Sequence, residues 1–159
     1  MTPAEVAKRE VENGRRQFDL ALEMIRTYLE PGRPFALRPS HVRELQAIAV
    51  DGLEVEPGTF RRTQVGIFGA VHQPPEAFRV DGLVVEMCEY INDNLHEKSP
   101  FHLASYLMWR HNWIHPFADG NGRTSRMLSY IVLSLALGYE LPGSPTIPEQ
   151  IQGDRRGYF

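Results

Sequence analysis

The residues that could do chemistry are concentrated in the run HPFADGNGRTSR, His115 to Arg126. Proline disfavours helical geometry at the residue before it, so His115 should end a helix with its ring free to project. Gly120 and Gly122 let the backbone turn tightly and approach a ligand closely. Asn121 tolerates unusual backbone angles and adds a side-chain amide. The loop runs into a helix start, where unpaired N–H groups and the positive dipole end favour an anion. Arg123 and Arg126 lie about one turn apart, so both guanidinium groups can face one ligand. Asp119 is the single carboxylate among them, and Mg²⁺ beside phosphates is held by one or two carboxylates. His115 titrates near neutrality and suits a general base. Together these residues suit phosphoryl or nucleotidyl transfer, where positioning and charge stabilisation dominate. Two other chemistries are excluded. The lysine and spacing of a P-loop are absent, and the His111/His115 pair lacks the glutamate of HExxH and is interrupted by Pro116.

The flanking sequence must position that loop. Thr2-Pro3-Ala4-Glu5 reads as a capping box opening a helix to about Gly14. A second helix carries Phe18, Ala21, Leu22, Ile25, Tyr28 and Leu29 at helical steps and ends at Pro31-Gly32. Ser40 is expected to cap a third, carrying Leu45, Ile48 and Ala49. Residues 57–75, with Phe60, Val65, Ile67 and Phe68 among polar residues, are the only strand material and predict one short hairpin. Helices over about 83–95 and 101–113 precede the loop, the latter opened by Ser99-Pro100. A helix over about 123–137 follows it and stops at Gly138. That last helix is apolar on nearly every side, which makes it the central buried one. The fold class is all-α with one small β element.

Composition narrows the function classes. A chain of 159 residues, 42% apolar and 23% charged, is long enough for one globular domain with a real core. The net charge of −3 gives no general basic field for nucleic acid or an anionic membrane. Met127–Leu137, the longest apolar run, is too short to span a bilayer. The charged first ten residues argue against a signal peptide, and one cysteine excludes an internal disulfide and fits a reducing compartment. A cytoplasmic protein is expected. Cys88 shares an apolar stripe with Val84, Ile91 and Leu95 and reads as core. His41, His72, His96 and His102 show no ligand spacing and read as structural or surface. Tyr130 is core by default, with a place beside a nucleotide base as the alternative. Arg61 and Arg62 are open between target or nucleotide contacts and solvated charge; Arg155 and Arg156 read as solvent-exposed.

The run from His115 to Arg126 resembles the full HPFxDGNGRxxR signature of the Fic (filamentation induced by cAMP, Fido) domain family, matching every fixed position. Residues 58–67 and 72–75 resemble the family's β-hairpin flap, and Met108–Ile114 resembles the helix leading into the signature. The resemblance implies a helical bundle with one hairpin, a single domain over 1–159, and AMPylation. In that reaction AMP passes from ATP to a protein hydroxyl, with Mg²⁺ as cofactor. It implies that His115 deprotonates the target hydroxyl and Asp119 binds Mg²⁺. Gly120, Asn121 and Gly122 would hold the α- and β-phosphates, Arg123 the β-phosphate and Arg126 the γ-phosphate. Phe117 would fix the loop in the core. The flap, Thr59, Phe60, Arg61, Arg62, Thr63, Gln64, Val65, Gly66 and Ile67, would pair its edge with the target backbone. Intact Gly-Asn-Gly and Arg126 separate this chain from relatives that act as kinases or transfer phosphocholine.

Family members often carry an inhibitory helix of pattern [ST]xxxE[GN]. Glu12-Asn13 resembles its end, with Lys8 at the Ser/Thr position. By that resemblance, Glu12 would pair with Arg126 and block the γ-phosphate. The expected partners are ATP and a target protein, with self-association open and no nucleic acid or membrane. Removal of AMP or use of another nucleotide is the first alternative activity; a non-catalytic nucleotide- and partner-binding regulator is the second.

Overall fold

A computed structural model describes residues 1–67, 69 and 71–142. Phe68 in the expected hairpin, and Arg155 and Arg156, lie outside the described residues. Five α-helices carry the fold: α1 (Pro3–Leu29), α2 (Pro39–Ala49), α3 (Val80–Asn94), α4 (Pro100–Ile114) and α5 (Asn121–Leu137). A short 3₁₀ turn, Ala77–Arg79, leads into α3.

α5 is the hub. Every residue from Met127 to Ser134 is buried, and α5 packs on α4, α1 and α2. A helix buried all round must satisfy its polar groups internally. Ser129 Oγ donates to the Ala104 carbonyl at 2.9 Å and the Tyr130 hydroxyl to the Leu141 carbonyl at 3.1 Å. Tyr130 is therefore core, anchored at its polar tip. Gly138 closes α5 in left-handed geometry, φ 79°. Cys88 is buried, and burial pushes its thiol up to about 12, so it is no nucleophile at neutral pH.

α1 differs from expectation. It runs unbroken for 27 residues through Gly14 instead of forming two helices. A glycine inside a helix costs about 1 kcal/mol, but a continuous buried stripe carries the helix across it. The stripe is half polar: Asn13 and Gln17 precede Ala21, Met24 and Ile25. Asn13 Nδ2 donates to the Asp51 carbonyl at 2.8 Å and Gln17 Nε2 to the Leu45 carbonyl at 2.9 Å. These amides tie α1 to α2 and to the turn that follows it. The capping box at Thr2 and Glu5 forms as the sequence indicates. α2 starts at Pro39 rather than after a Ser40 cap, because proline suits the first helical position.

Residues 57–75 form no strand among the described residues. Side chains tie the two arms of this segment in place of a backbone ladder. Gln64 Nε2 donates to the Pro74 carbonyl at 2.7 Å, and the Arg61 guanidinium bridges the Thr63 and Pro75 carbonyls. Pro74 and Pro75 have no N–H to give a ladder, which accounts for the missing hairpin. No described helix is long and apolar enough to cross a membrane.

Candidate active site

Pro116 stops α4, and His115 leaves it in left-handed geometry, φ 49° and ψ 61°. It is the only non-glycine residue with positive φ among those described. Its ring reaches a groove of about 740 Å³ that is also lined by Gly122, Arg126, His72, Trp109 and Trp113. Burial holds the His115 imidazole below its ordinary pKa. Arg61 and His72 push the same way, and the Asn112 backbone and Asp119 pull against them. The net result is a neutral ring at pH 7, able to take a proton.

The loop beyond it is fastened from three sides. Phe117 is fully buried against Phe60, ring centroids 5.1 Å apart. Asn121 clamps it: its Oδ1 accepts from the Phe117 N–H at 3.0 Å and its Nδ2 donates to the Phe117 carbonyl at 2.9 Å. The Asn121 amide is thus committed to the loop, leaving its backbone N–H for any anion. α2 forms the third side. Gln46 Nε2 donates to the Asp119 carbonyl at 3.0 Å, while its Oε1 accepts from the Gly58 N–H at 2.6 Å. Gly120 turns at φ 78° against Val50.

α5 then begins at Asn121, its first backbone bond running from the Thr124 N–H to the Gly120 carbonyl. The missing side chain of Gly122 leaves room for the Arg126 guanidinium, whose Nη1 lies 3.3 Å from where a Cβ would be. Asn112 bonds Ser125 Oγ, which in turn donates to the Gly122 carbonyl, fixing this start against α4.

The structure therefore brings His115, Gly122 and Arg126 to one groove. Arg123 is engaged elsewhere. Its Nη1 donates to the Ala49 carbonyl at 2.9 Å, and its Nη2 pairs with Asp119 at 2.9 Å. Glu10 of α1 lies 3.5 Å from the same guanidinium. Glu12 instead pairs with Lys8 one turn back, at 4.0 Å, and is half exposed. Asn13, beside it, points inward, which turns Glu12 outward. Of the flap residues, Phe60 and Arg61 are buried, Thr59, Val65 and Ile67 half-buried, and Arg62, Thr63, Gln64 and Gly66 exposed.

Asp119 is the carboxylate that could hold Mg²⁺. No described group of three or more His, Cys, Asp or Glu side chains could hold a metal alone. One carboxylate, more than half exposed, fits an ion completed by phosphate oxygens and water.

Several site residues carried no sequence signal. His72 stacks on Trp113, and its Nε2 lies 2.9 Å from the Trp113 carbonyl. Gln46 and the carbonyl of Ala49 support the loop from α2. His111 is fully buried beside Phe117, neither ring nitrogen is hydrogen-bonded, and burial lowers its pKa from 6.5 to about 3. The unfolded chain then binds a proton that the folded one refuses. The contribution of His111 is intact above pH 6.5 and is lost as pH falls from there toward 3. Replacing His111 with phenylalanine should flatten the acid side of the stability–pH curve by up to ~1.4 kcal/mol per pH unit. Denaturant unfolding at a series of pH values, compared with the parent protein, measures this.

The helical bundle thus presents a histidine, a glycine bend at a helix start and an arginine in one groove. A family model, the Fic/DOC family, matches residues 36–133. The chain belongs to the Fic/DOC family. It is 40% identical over 87 residues to the protein adenylyltransferase Fic of Drosophila persimilis, covering 54% of this chain and 16% of that protein. It is 39% identical over 88 residues to the protein adenylyltransferase Fic of Aedes aegypti, covering 54% and 17%. The alignments thus take in about a sixth of the length of these relatives. A Fic family protein from Desulfovibrio desulfuricans G20 superimposes with a TM-score of 0.75 at 24% identity, over 99% of this chain and 45% of that one. A Fic domain containing signaling protein from Bacteroides thetaiotaomicron VPI-5482 gives 0.66 at 26% identity, over 82% and 50%.

Proposed function

We propose that this chain is a protein adenylyltransferase acting as a single Fic domain. It would transfer AMP from ATP to a hydroxyl side chain of a target protein. The observation that carries the reading is the shared groove of His115, Gly122 and Arg126. A neutral imidazole faces a helix start and a guanidinium, the arrangement that removal of a hydroxyl proton beside a phosphate requires. The relatives named as adenylyltransferases support it.

In this account the first N–H groups of α5 and Arg126 bind the triphosphate. His115 takes the proton of the target hydroxyl, whose oxygen attacks the α-phosphorus as pyrophosphate leaves. Mg²⁺, held by Asp119, would neutralise phosphate charge. The exposed flap residues Arg62 to Gln64 and Gly66 offer backbone to an extended target segment, while Phe60 and Arg61 face inward. The single cysteine, buried and unreactive, agrees with a cytoplasmic setting. Incubation with Mg²⁺ and ATP labelled at the α-phosphate should label protein, and ATP labelled at the γ-phosphate should not. Label from the γ-position alone would overturn the reading.

Restraint by α1 falls to Glu10 rather than Glu12 in this reading, because Glu10 is the carboxylate beside Arg123. The Glu10 carboxylate is half exposed and 3.5 Å away, so the effect is small. Glu10→Gln should tighten ATP binding about two- to fivefold by calorimetry, and Glu12→Gly should leave it unchanged.

A further inference from the structure

Arg61 is buried, 6% exposed, yet its acceptors are backbone carbonyls and not a carboxylate. Nε donates to the His115 carbonyl at 2.8 Å and Nη1 to that of Thr63 at 3.0 Å. Nη2 donates to the Pro75 carbonyl at 2.5 Å and the Ile114 carbonyl at 3.3 Å. Its own backbone N–H donates to the Pro116 carbonyl at 2.9 Å. Burying a cation is costly unless its donors are met, and here the planar fork meets acceptors on three separate segments. The last carbonyls of a helix have no internal partners, and Pro116 prevents α4 from continuing. Arg61 caps that end from outside, at the one non-glycine residue with left-handed backbone among those described.

We propose that Arg61 is a positioning residue: its guanidinium locks both arms of the flap to the end of α4 and so fixes the His115 ring in the groove. This rests on the reading of His115 as the base. It removes Arg61 from the target-binding surface and makes flap and base one mechanical unit. Disturbing one should disturb the other. The fork also sets the charge around the ring. His115 is faced by Arg61 and His72 from the flap region, Asp119 from its own loop and His111 from α4, and Arg126 of α5 lines the same groove. Removing the Arg61 cation should let the ring hold its proton to higher pH.

Arg61→Met and Arg61→Lys test the proposal, with turnover measured per folded molecule and His115 ring signals followed by NMR across pH. Arg61→Met should lower kcat on the order of 100-fold with little change in KM for ATP, and His115 should titrate at higher pH. Arg61→Lys keeps the charge but cannot span four carbonyls. Its kcat should fall as well, with the titration close to that of the parent. Should the methionine variant not fold, the lysine variant and the unaltered protein decide. In the unaltered protein the Arg61 Nε–H should exchange slowly with solvent. Exchange as fast as that of an exposed arginine overturns the proposal, as do variants that keep kcat within about twofold and leave the His115 titration unmoved. Retained transfer by His115→Ala would defeat the base assignment instead. The ring titration needs no turnover, so it still reports on Arg61.

Discussion

His115→Ala and His115→Asn are both expected to lower AMP transfer by ~10²–10⁴-fold while leaving ATP binding nearly intact. Two variants are needed because His115 sits at φ 49°. Alanine there carries backbone strain of about 1 kcal/mol, whereas asparagine tolerates left-handed geometry. A loss shared by both follows from the missing proton acceptor; a loss confined to alanine follows from the loop. The ring makes no hydrogen bond through Nδ1, so its replacement breaks no such bond. The melting temperature of the asparagine variant should therefore stay close to that of the parent. The pH profile carries the same assignment. A base held below its ordinary pKa by burial stays neutral through pH 7, so kcat/KM should be flat there and fall only as acid protonates the ring. Transfer by His115→Asn at an undiminished rate would remove His115 from the mechanism.

Gly120→Ala is expected to be the most damaging single change outside the reacting groups. Gly120 holds φ 78°, and an added Cβ would lie 2.8 Å from Val50 Cγ1 and 3.6 Å from Gln46 Cγ. The left-handed strain and the overpacking together should cost about 2–4 kcal/mol, a fall in melting temperature of roughly 5–15 °C. Activity should fall further than stability. The clash pushes the loop off α2, where Gln46 holds the Asp119 carbonyl and Arg123 holds that of Ala49. Moving the loop displaces Asp119 and the start of α5 together. Adding Val50→Ala should relieve the clash but not the strain, and so recover part of the stability. Calorimetric unfolding of the two variants and the parent separates these contributions. A Gly120→Ala protein with the parent's melting temperature would mean that α2 does not support the bend.

The backbone of the loop was legible because residue type determines it locally. Pro116 ends a helix, Gly120 permits a turn that alanine resists, and Gly138 stops α5. Helix ends were readable for the same reason at Thr2 and Ser99. What was hidden depends on partners distant in sequence. Asn13 and Gln17 break the apolar period of α1, and only carbonyls of α2 and the turn after it, about thirty or more residues on, show them to be core. Glu10 and Glu12 are equivalent in a charged run until α1 packs on α5 and turns Glu10 toward Arg123. Arg61 reads as a target or nucleotide contact or as solvated charge until four carbonyls close on it. Asn121 reads as a ligand group until its amide is found clamping Phe117.

The central claim is that a triphosphate lies across the glycine bend with His115 facing its α-phosphate. A crystal structure of the chain with a non-hydrolysable ATP analogue and Mg²⁺ tests it most directly. The account predicts the phosphates over Gly120 to Gly122 and the start of α5. It further predicts Arg126 on the terminal phosphate, the metal at Asp119 and the His115 ring turned to the α-phosphorus. A nucleotide bound elsewhere, or bound with its terminal phosphate at His115 and its base over the bend, would contradict it.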